Sequence, residues 1–199
     1  MVDGLVAEDL LADLSTAVIG HQIVVLERTG STNDAILQNG KKNPREGLVV
    51  FAEQQTAGRG QRGNRWESAA GKGLWFSILL MPRIALASSP RLTTWAAETI
   101  SAVMENEFSL APTIKPPNDV QINGRKVAGV LVEMRARENA AHLAIVGIGV
   151  NVNQSREDFP EELQNSAISI GMALGKHIDR RKFAIALLQE LDRTYRAKF

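Results

Sequence analysis

The chain has 199 residues, with 23 Lys and Arg against 22 Asp and Glu, so its formal net charge is +1. It is 44% hydrophobic and 23% charged and has no cysteine, which excludes a disordered chain, disulfides, thiolate metal sites and a generally basic nucleic-acid binder. The absence of a basic signal sequence and of an apolar run of about 20 residues predicts a cytoplasmic protein without a membrane span.

The first half of the chain is predicted to alternate short strands and amphipathic helices. Apolar residues at helical spacing predict an opening helix, and several N-cap residues precede the second helix. The predicted elements are a helix at Val6–Leu14, a strand at Gln22–Glu27, a helix from Ser31–Asp34 to near Gly40, and strands at Leu48–Ala52 and Leu74–Leu80.

The second half predicts a long helix, a hairpin, a strand and further helices. Asn123-Gly124 is the strongest short signal for a hairpin turn. The predicted elements are a helix with Ser89 as its N-cap and Pro90 as its first residue, strands at Val120–Ile122, Val127–Met134 and Leu143–Val152, a short helix from Phe159, and a last helix capped by Asp179. Because this order is not a regular βαβ alternation, we predict one α+β domain over residues 1–199, with a mixed, mostly antiparallel sheet flanked by helices. Its core motifs lie at 22–153 and its C-terminal helices at 160–199.

A loop rich in glycine and arginine lies between the second and third strands, over Gln55–Trp66. Its glycines allow backbone N–H groups to approach a ligand, and its arginines supply positive charge. This composition suits a phosphate or a carboxylate. A mobile, solvated surface loop is the alternative interpretation.

A second candidate segment is Lys115-Pro-Pro-Asn-Asp119, followed after the hairpin turn by Lys126. The two prolines stiffen the approach to Asn118 and Asp119. Lys126 begins an apolar strand, where a lysine serves either to protect a strand edge or as a catalytic cation. The pattern alone favours the protective role.

A third candidate is the strand segment Gly147-Ile-Gly149-Val-Asn151. Alternating glycines on a buried strand leave space for a ligand or for close sheet packing. The three histidines are scattered and do not have the spacing of a metal site.

Five segments, taken together and in order, resemble the catalytic domain of biotin protein ligases. They are Ser31-Thr32-Asn33, Gln55–Trp66, Lys115–Asp119, Lys126–Glu133 and Gly147–Asn151. The resemblance implies a seven-stranded mixed sheet, related to lipoate ligases and class II aminoacyl-tRNA synthetases. It also implies a two-step reaction, in which biotin and ATP form biotinyl-5′-adenylate, which then acylates a lysine of a biotin carboxyl carrier domain.

The resemblance also assigns roles to single residues. Lys126 is the cation that contacts the biotin carboxylate and the α-phosphate, Arg59 belongs to the loop over the adenylate, and Asp119 holds Mg²⁺ and assists the acceptor lysine. The remaining predicted ligand-binding residues are Ser31, Thr32 and Gln55 for the ureido ring, Gly129, Leu131, Gly147 and Gly149 for the biotin slot, Asn118 and Asn151 for the nucleotide, Trp66 for stacking, and Asn33, Gly58, Gly60, Gln61, Arg62 and Lys115 from the matched segments.

The implied ligands are biotin, ATP and Mg²⁺, and the implied partner is the carrier domain of acetyl-CoA carboxylase or a related carboxylase. The resemblance implies a monomer or a homodimer. The chain ends at Phe199, without the family's C-terminal β-barrel and without a winged helix, so no DNA binding is expected. Gln61 replaces a frequent arginine, and together with the missing C-terminal domain this difference predicts weaker retention of the nucleotide and the adenylate. Pro116 replaces a frequent tryptophan, whose packing role is then absent or filled by another residue.

Two questions stay open at this point. Strict strand alternation places Lys126 on the face opposite Gly129 and Leu131, and either a bulge or the reach of the lysine side chain would reunite them. The alternative functions are a lipoate or octanoyl ligase on the related fold and a binding module without catalysis.

Overall fold

The computed structural model describes residues 4–40, 45–138 and 140–199. The strands are β1 Gln22–Thr29, β2 Leu48–Gln55, β3 Gly73–Leu80, β4 Thr113–Lys115, β5 Asp119–Ile122, β6 Arg125–Arg135 and β7 Leu143–Asn151. The α-helices are α1 Ala7–Asp13, α2 Thr32–Gly40, α3 Ser89–Phe108, α4 Ile170–Leu174 and α5 Arg180–Lys198. In the part of the chain that the structure describes, no helix combines the length and the apolar character that a bilayer span requires.

The seven strands form one sheet in the order β1-β2-β3-β7-β6-β5-β4. Only β1 and β2 among these pairs run parallel, and the other neighbours are antiparallel. This confirms the predicted mixed, mostly antiparallel sheet with flanking helices. Strand β4 and helix α4 were not predicted, because with three and five residues they are too short to show a periodic pattern.

Two predicted helix starts differ from the structure. The segment after Phe159 forms a three-residue 3-10 turn at Glu161–Leu163 instead of an α-helix. Ser88 is the N-cap of α3, one residue before the predicted Ser89, and its side chain makes no capping hydrogen bond. At the last helix the prediction is confirmed, since the Asp179 carboxylate accepts a hydrogen bond from the Lys182 backbone N–H.

The two faces of the sheet carry different residues. On β3 and β7 the even-numbered residues pack into the large core with α3 and α5, as Phe76 and Val146 illustrate. The odd-numbered residues Leu79 and Ile145 pack with Ile36 of α2 in a second, smaller core. Because this second core occupies only one end of the strands, the other end of the same face remains available for a cleft.

The β5–β6 hairpin turns at Asn123 and Gly124, whose φ angles are +52° and +73°. Two successive left-handed residues form the type I′ turn that the Asn-Gly pair favours. The pairing register shifts between Val120 and Gln121, which inserts one extra residue into β6 beside Lys126. The extra residue reverses the alternation of β6 at this point.

Asp192 of α5 connects the last helix to the segment before β1. Its side chain is 1% exposed and accepts hydrogen bonds from the backbone N–H groups of Ala17, Val18 and Ile19 at 3.2, 2.7 and 2.8 Å. Burial alone would raise the pKa of this carboxyl, but the three N–H donors and Arg196 outweigh it and lower the pKa. The ionised form therefore stabilises the fold.

We expect Asp192→Asn to lower the free energy of unfolding at pH 7 by about 1.5–3 kcal/mol, because hydrogen bonds to a charged group are lost. A depressed pKa contributes stability above the unfolded value, near 3.9, and this contribution disappears as the pH falls through the folded value. Urea unfolding at pH 7 and pH 3 should therefore show that the difference in the free energy of unfolding between Asp192→Asn and the wild type is smaller at pH 3. The exposed Asp9→Asn variant is the control, and a difference independent of pH would contradict the account.

Candidate functional site

A cleft opens on the α2 face of the sheet. Its floor is formed by β6 and β7, one end by the start of α2, and its cover by the Gly- and Arg-rich loop. The predicted site residues that line it are Ser31, Thr32, Asn33, Gln55, Arg59, Gly60, Trp66, Asn118, Lys126, Gly129, Leu131, Gly147 and Gly149. Three of the five segments singled out in the sequence thus contribute its floor and its walls, and the other two contribute its cover and its rim.

Glycines on β6 and β7 make room for the Trp66 indole and the Asn33 side chain at the floor of the cleft. A Cβ atom at Gly149 would lie 2.5 Å from Cε2 of the Trp66 indole, and one at Gly129 would lie 2.9 Å from Cζ3 of the same ring. A Cβ atom at Gly147 would clash with the Asn33 side chain. Any larger residue at these three positions would displace the groups that surround the cleft.

A buried hydrogen-bond network fixes the end of the cleft beside α2. Ser77 of β3 is fully buried, and its Oγ lies 2.8 Å from Thr32 Oγ1 and 2.6 Å from Asn33 Oδ1. The Asn33 amide donates to Glu133 Oε2 at 2.6 Å. Gln55 Oε1 accepts from the backbone N–H of Thr32 at 2.8 Å. The polar groups at this end are therefore preorganised.

Lys126 lies on the cleft side of β6. The bulge brings its side chain beside Gly129, where a Cβ atom would be 3.3 Å from Lys126 Nζ. The backbone of Lys126 also pairs with the segment after β7, donating to Ser166 O at 2.8 Å and accepting from Ile168 N at 2.9 Å. The bulge therefore explains how Lys126 lies on the same side of β6 as Gly129, which strict strand alternation would not allow.

The ammonium of Lys126 has two close neighbours. Nζ lies 2.6 Å from Asp119 Oδ1 and 5.2 Å from the centroid of the Trp66 ring. The carboxylate and the ring face both attract a cation. Lys126 is thus held in place, with about a third of its side chain exposed toward the cleft.

A second cavity adjoins the first. It is lined on its apolar side by Phe159, Leu163 and Ala167, and it shares Trp66 and Lys126 with the cleft. The two residues therefore separate two adjacent spaces and face both. Two ligands, or the two halves of one long ligand, would meet at Lys126.

Trp66 contributes an unpaired donor at this boundary. Its indole Nε1 is buried and has no hydrogen-bond partner within the described ranges 4–40, 45–138 and 140–199. Leaving such a donor unsatisfied costs about 1–3 kcal/mol. An acceptor oxygen of a ligand in the cleft would satisfy it.

Arg59 is paired with protein carboxylates. Its guanidinium lies 2.6 Å from Asp34 Oδ2 and 3.4 Å from Glu133 Oε2, and Arg65 lies 2.9 Å from Glu67. Both of these loop arginines therefore have anionic partners within the protein. The carboxylates are distant in sequence from Arg59, and only the fold brings them to the loop.

Several predicted site residues do not line the cleft. Asn151 lines the second cavity, and its amide is used within the protein, donating to Ile168 O at 3.2 Å and accepting from Gln154 at 3.0 Å. Lys115 is exposed on the edge strand β4. Asp119 contributes through its ion pair with Lys126, whereas Gly58, Gln61 and Arg62 shape the loop outside the cleft.

Three residues of the site were not among the predicted site residues: Ser77, Glu133 and Asp34. A signal existed for Ser77, since it is the single hydroxyl in the otherwise apolar strand Gly73–Leu80. Glu133 closes the Lys126–Glu133 segment and could have been recognised as a carboxylate on a mostly apolar strand. No pattern linked Asp34 to Arg59.

We expect Ser77→Ala to weaken ligand binding in the cleft and to lower the free energy of unfolding by about 1–3 kcal/mol, because Thr32 and Asn33 lose a buried partner. Thermal shift with and without biotin measures both effects. Ser88→Ala, at a position without a side-chain capping hydrogen bond, is the matched control. An unchanged biotin-induced shift in Ser77→Ala would exclude a role for this network in binding.

The described residues contain no group of three or more histidine, aspartate or glutamate side chains that could hold a metal ion by themselves. Asp119 is the carboxylate nearest to Lys126. This donor set fits a cation that arrives with phosphate ligands and takes one carboxylate from the protein, which is the usual way that Mg²⁺ is bound.

Comparison with known sequences gives a consistent result. A family model described as "Biotin/lipoate A/B protein ligase family" matches residues 25–151. Bifunctional ligase/repressor BirA of Bacillus spizizenii is 39% identical over 92% of this chain and 56% of that protein. Biotin--[acetyl-CoA-carboxylase] ligase of Mycobacterium tuberculosis is 32% identical over 86% of this chain and 63% of that protein. The chain therefore spans less than two thirds of the length of each relative.

Comparison with solved structures agrees with the sequence comparison. Biotin protein ligase from Aquifex aeolicus, in complex with biotin and ATP, superposes with a TM-score of 0.74 at 31% identity. The match covers 88% of this chain and 71% of that chain.

Proposed function

This chain belongs to the biotin/lipoate A/B protein ligase family, which confirms the resemblance found in its motifs, and we propose that it catalyses the ATP-dependent attachment of biotin to a protein lysine. In the first half-reaction biotin and ATP form biotinyl-5′-adenylate and pyrophosphate. In the second, the lysine of a biotin carboxyl carrier domain displaces AMP. We further propose that this domain belongs to acetyl-CoA carboxylase or a related carboxylase and that the reaction takes place in the cytoplasm.

The observation that carries the proposal is the position of Lys126 between two adjacent cavities. A carboxylate that attacks a phosphate requires two anions to meet, and their repulsion opposes the reaction. A fixed cation at the meeting point lowers this barrier, because preorganised charge in a partly dry site is weakly screened. Lys126 is such a cation, held by Asp119 and by the Trp66 ring.

The glycine-lined cleft is the proposed biotin site. Its polar end, with Ser31, Thr32 and Gln55, offers hydrogen-bond donors and acceptors for a ureido group. Its floor at Gly129, Leu131, Gly147 and Gly149, beneath the Trp66 indole, is the proposed surface for an apolar ring and chain. The carboxylate end of biotin would then point to Lys126 and to the unpaired Trp66 N–H.

The second cavity is the proposed adenine site. Phe159, Leu163 and Ala167 provide apolar surface for a flat base, and the Trp66 ring forms the wall toward the cleft. Asn118, in the turn before β5, and Asn151, at the end of β7, hold the local backbone through Val130 O and Ile168 O. They would act here by shaping the nucleotide side of the site.

In the first half-reaction a biotin carboxylate oxygen bonds to the α-phosphorus, and the bond to the bridging oxygen of pyrophosphate breaks. Lys126 stabilises the charge that develops on both groups. Asp119 would contribute one oxygen to Mg²⁺, which when bound neutralises phosphate charge. In the second half-reaction the neutral acceptor amine attacks the acyl carbon and AMP leaves, and Asp119, which lies beside Lys126, would receive the proton that the amine releases.

The test is to incubate the protein with biotin, ATP and a purified carrier domain and to detect carrier-bound biotin with labelled streptavidin. We expect labelling that requires all three components. Replacing biotin with lipoate or octanoate separates the alternative ligases, which would modify the carrier of the lipoyl type. Binding of biotin without adenylate or carrier labelling would overturn the proposal in favour of a binding module.

A further inference from the structure

The rim of the cleft contains a guanidinium held between two carboxylates. Arg59 Nη1 lies 2.6 Å from Asp34 Oδ2, Arg59 Nη2 lies 2.8 Å from Asp34 Oδ1, and Nη2 also lies 3.4 Å from Glu133 Oε2. Arg59 belongs to the loop, Asp34 to the first turn of α2 and Glu133 to β6. Arg59 therefore connects the loop both to α2 and to β6.

The carboxylates are themselves connected to the rigid part of the site. Glu133 Oε2 accepts a hydrogen bond of 2.6 Å from Asn33, whose side chain is 2.6 Å from the buried Ser77. Asp34 follows Asn33 directly in the first turn of α2. A paired geometry with two parallel N–H···O bonds is the most specific contact that arginine makes. The loop is thus attached to groups that have little freedom to move.

Contacts between the two limbs of the loop connect Arg59 to Trp66. Arg59 and Arg65 face each other in an antiparallel bridge, and Trp66 N donates to Gly58 O at 3.0 Å. A Cβ atom at Gly58 would lie 2.5 Å from Trp66 O, so the two limbs of the loop are in close contact. A displacement of Arg59 would therefore displace the Trp66 indole that covers Gly129 and Gly149.

We propose that Asp34 and Glu133 are positioning residues that hold Arg59 and thereby keep Trp66 over the cleft before any ligand binds. Asp34, with two short bonds, carries most of the attachment. The positioning itself is independent of the reaction. Its consequence for catalysis rests on the proposed function: a loop held in this way slows the escape of biotinyl-adenylate before the carrier lysine reacts.

The first test needs no substrate. We expect the loop of Asp34→Asn to be cleaved by trypsin after Arg62 about three to five times faster than that of the wild type, which corresponds to one exposed ion pair. Asp34→Glu keeps the charge and should restore much of the protection. Asp13→Asn is the matched control, because the Asp13–Arg181 pair has the same 2.6 Å distance and a similar exposure, far from the loop.

A double-mutant cycle separates positioning from a general loss of stability. Arg59→Gln should accelerate cleavage after Arg62 by a similar factor, and adding Asp34→Asn to it should have little further effect. Thermal unfolding of each variant reports global stability. The proposal is overturned if Asp34→Asn is cleaved no faster than Asp13→Asn, or if it accelerates cleavage equally in the Arg59→Gln background.

The second test follows adenylate release. With biotin and ATP but without carrier, Asp34→Asn should release biotinyl-adenylate about three to five times faster than the wild type and label more bystander lysines. Faster cleavage together with unchanged release would overturn the catalytic consequence alone. If the wild type forms no adenylate, the proposed function fails, whereas the cleavage experiment still decides whether Asp34 positions the loop.

Discussion

Replacement of Lys126 by alanine is expected to reduce biotin-dependent pyrophosphate release by about 30- to 1,000-fold, since removing a preorganised charge from a transition state costs about 2–4 kcal/mol. The side chain lines both cavities, whereas the other lining cations, Arg59 and Arg65, each line only one of them. Without Lys126, no cation shared by the two cavities remains where the carboxylate and the α-phosphate would meet.

The matched control for this variant is Arg125→Ala. Arg125 precedes Lys126 on the same hairpin and has a similar partial exposure, but it lines neither cavity. Its variant should release pyrophosphate at nearly the wild-type rate. Circular dichroism should show both variants folded, because Lys126 is bound to the neighbouring segment through its backbone. Near-normal release from Lys126→Ala would remove Lys126 from the mechanism.

The largest effect on stability is expected at Arg180, where we predict that Arg180→Leu lowers the free energy of unfolding by about 3–5 kcal/mol. The Arg180 side chain is 0% exposed and donates to Glu53 Oε2 at 2.7 Å and to Gly73 O at 3.1 Å. Glu53 also accepts from Leu5 N at 2.8 Å. Removing the guanidinium leaves a mostly buried carboxylate without its counter-charge.

The neighbouring residue supplies the control for this prediction. Arg181→Leu breaks an exposed pair with Asp13 and should cost at most about 1 kcal/mol. Denaturant unfolding of both variants gives the comparison. Arg180→Leu combined with Glu53→Leu should recover part of the loss, because no uncompensated charge remains. Equal costs for Arg180→Leu and Arg181→Leu would contradict the account.

The sequence predicted most of the fold because its strong signals are local. Asn123-Gly124 predicted the turn of the β5–β6 hairpin, and Asp179 predicted the start of α5. The structure confirms both. The prediction failed for β4, for α4 and for the segment after Phe159, where the elements have five residues or fewer. Elements of this length are decided by tertiary contacts more than by periodicity.

The residues of the candidate site could be predicted where they lie in recognisable sequence segments. They could not be predicted where their positions depend on contacts between residues that are distant in sequence. The glycines at 147 and 149 suggested a space, and the structure places a cleft there. The bulge beside Lys126 depends on pairing with Ser166 and Ile168, some 40 residues away in sequence. The Asp34–Arg59 contact joins two segments that show no complementary pattern of their own.

The most direct test of the central claim is a crystal structure with a non-hydrolysable analogue of biotinyl-adenylate. The account predicts the ureido ring beside Thr32 and Gln55, the adenine in the cavity lined by Phe159 and Leu163, and the acyl-phosphate analogue within hydrogen-bond distance of Lys126 Nζ. An analogue bound with its adenine away from that cavity, or with its linkage beyond the reach of Lys126, would contradict it.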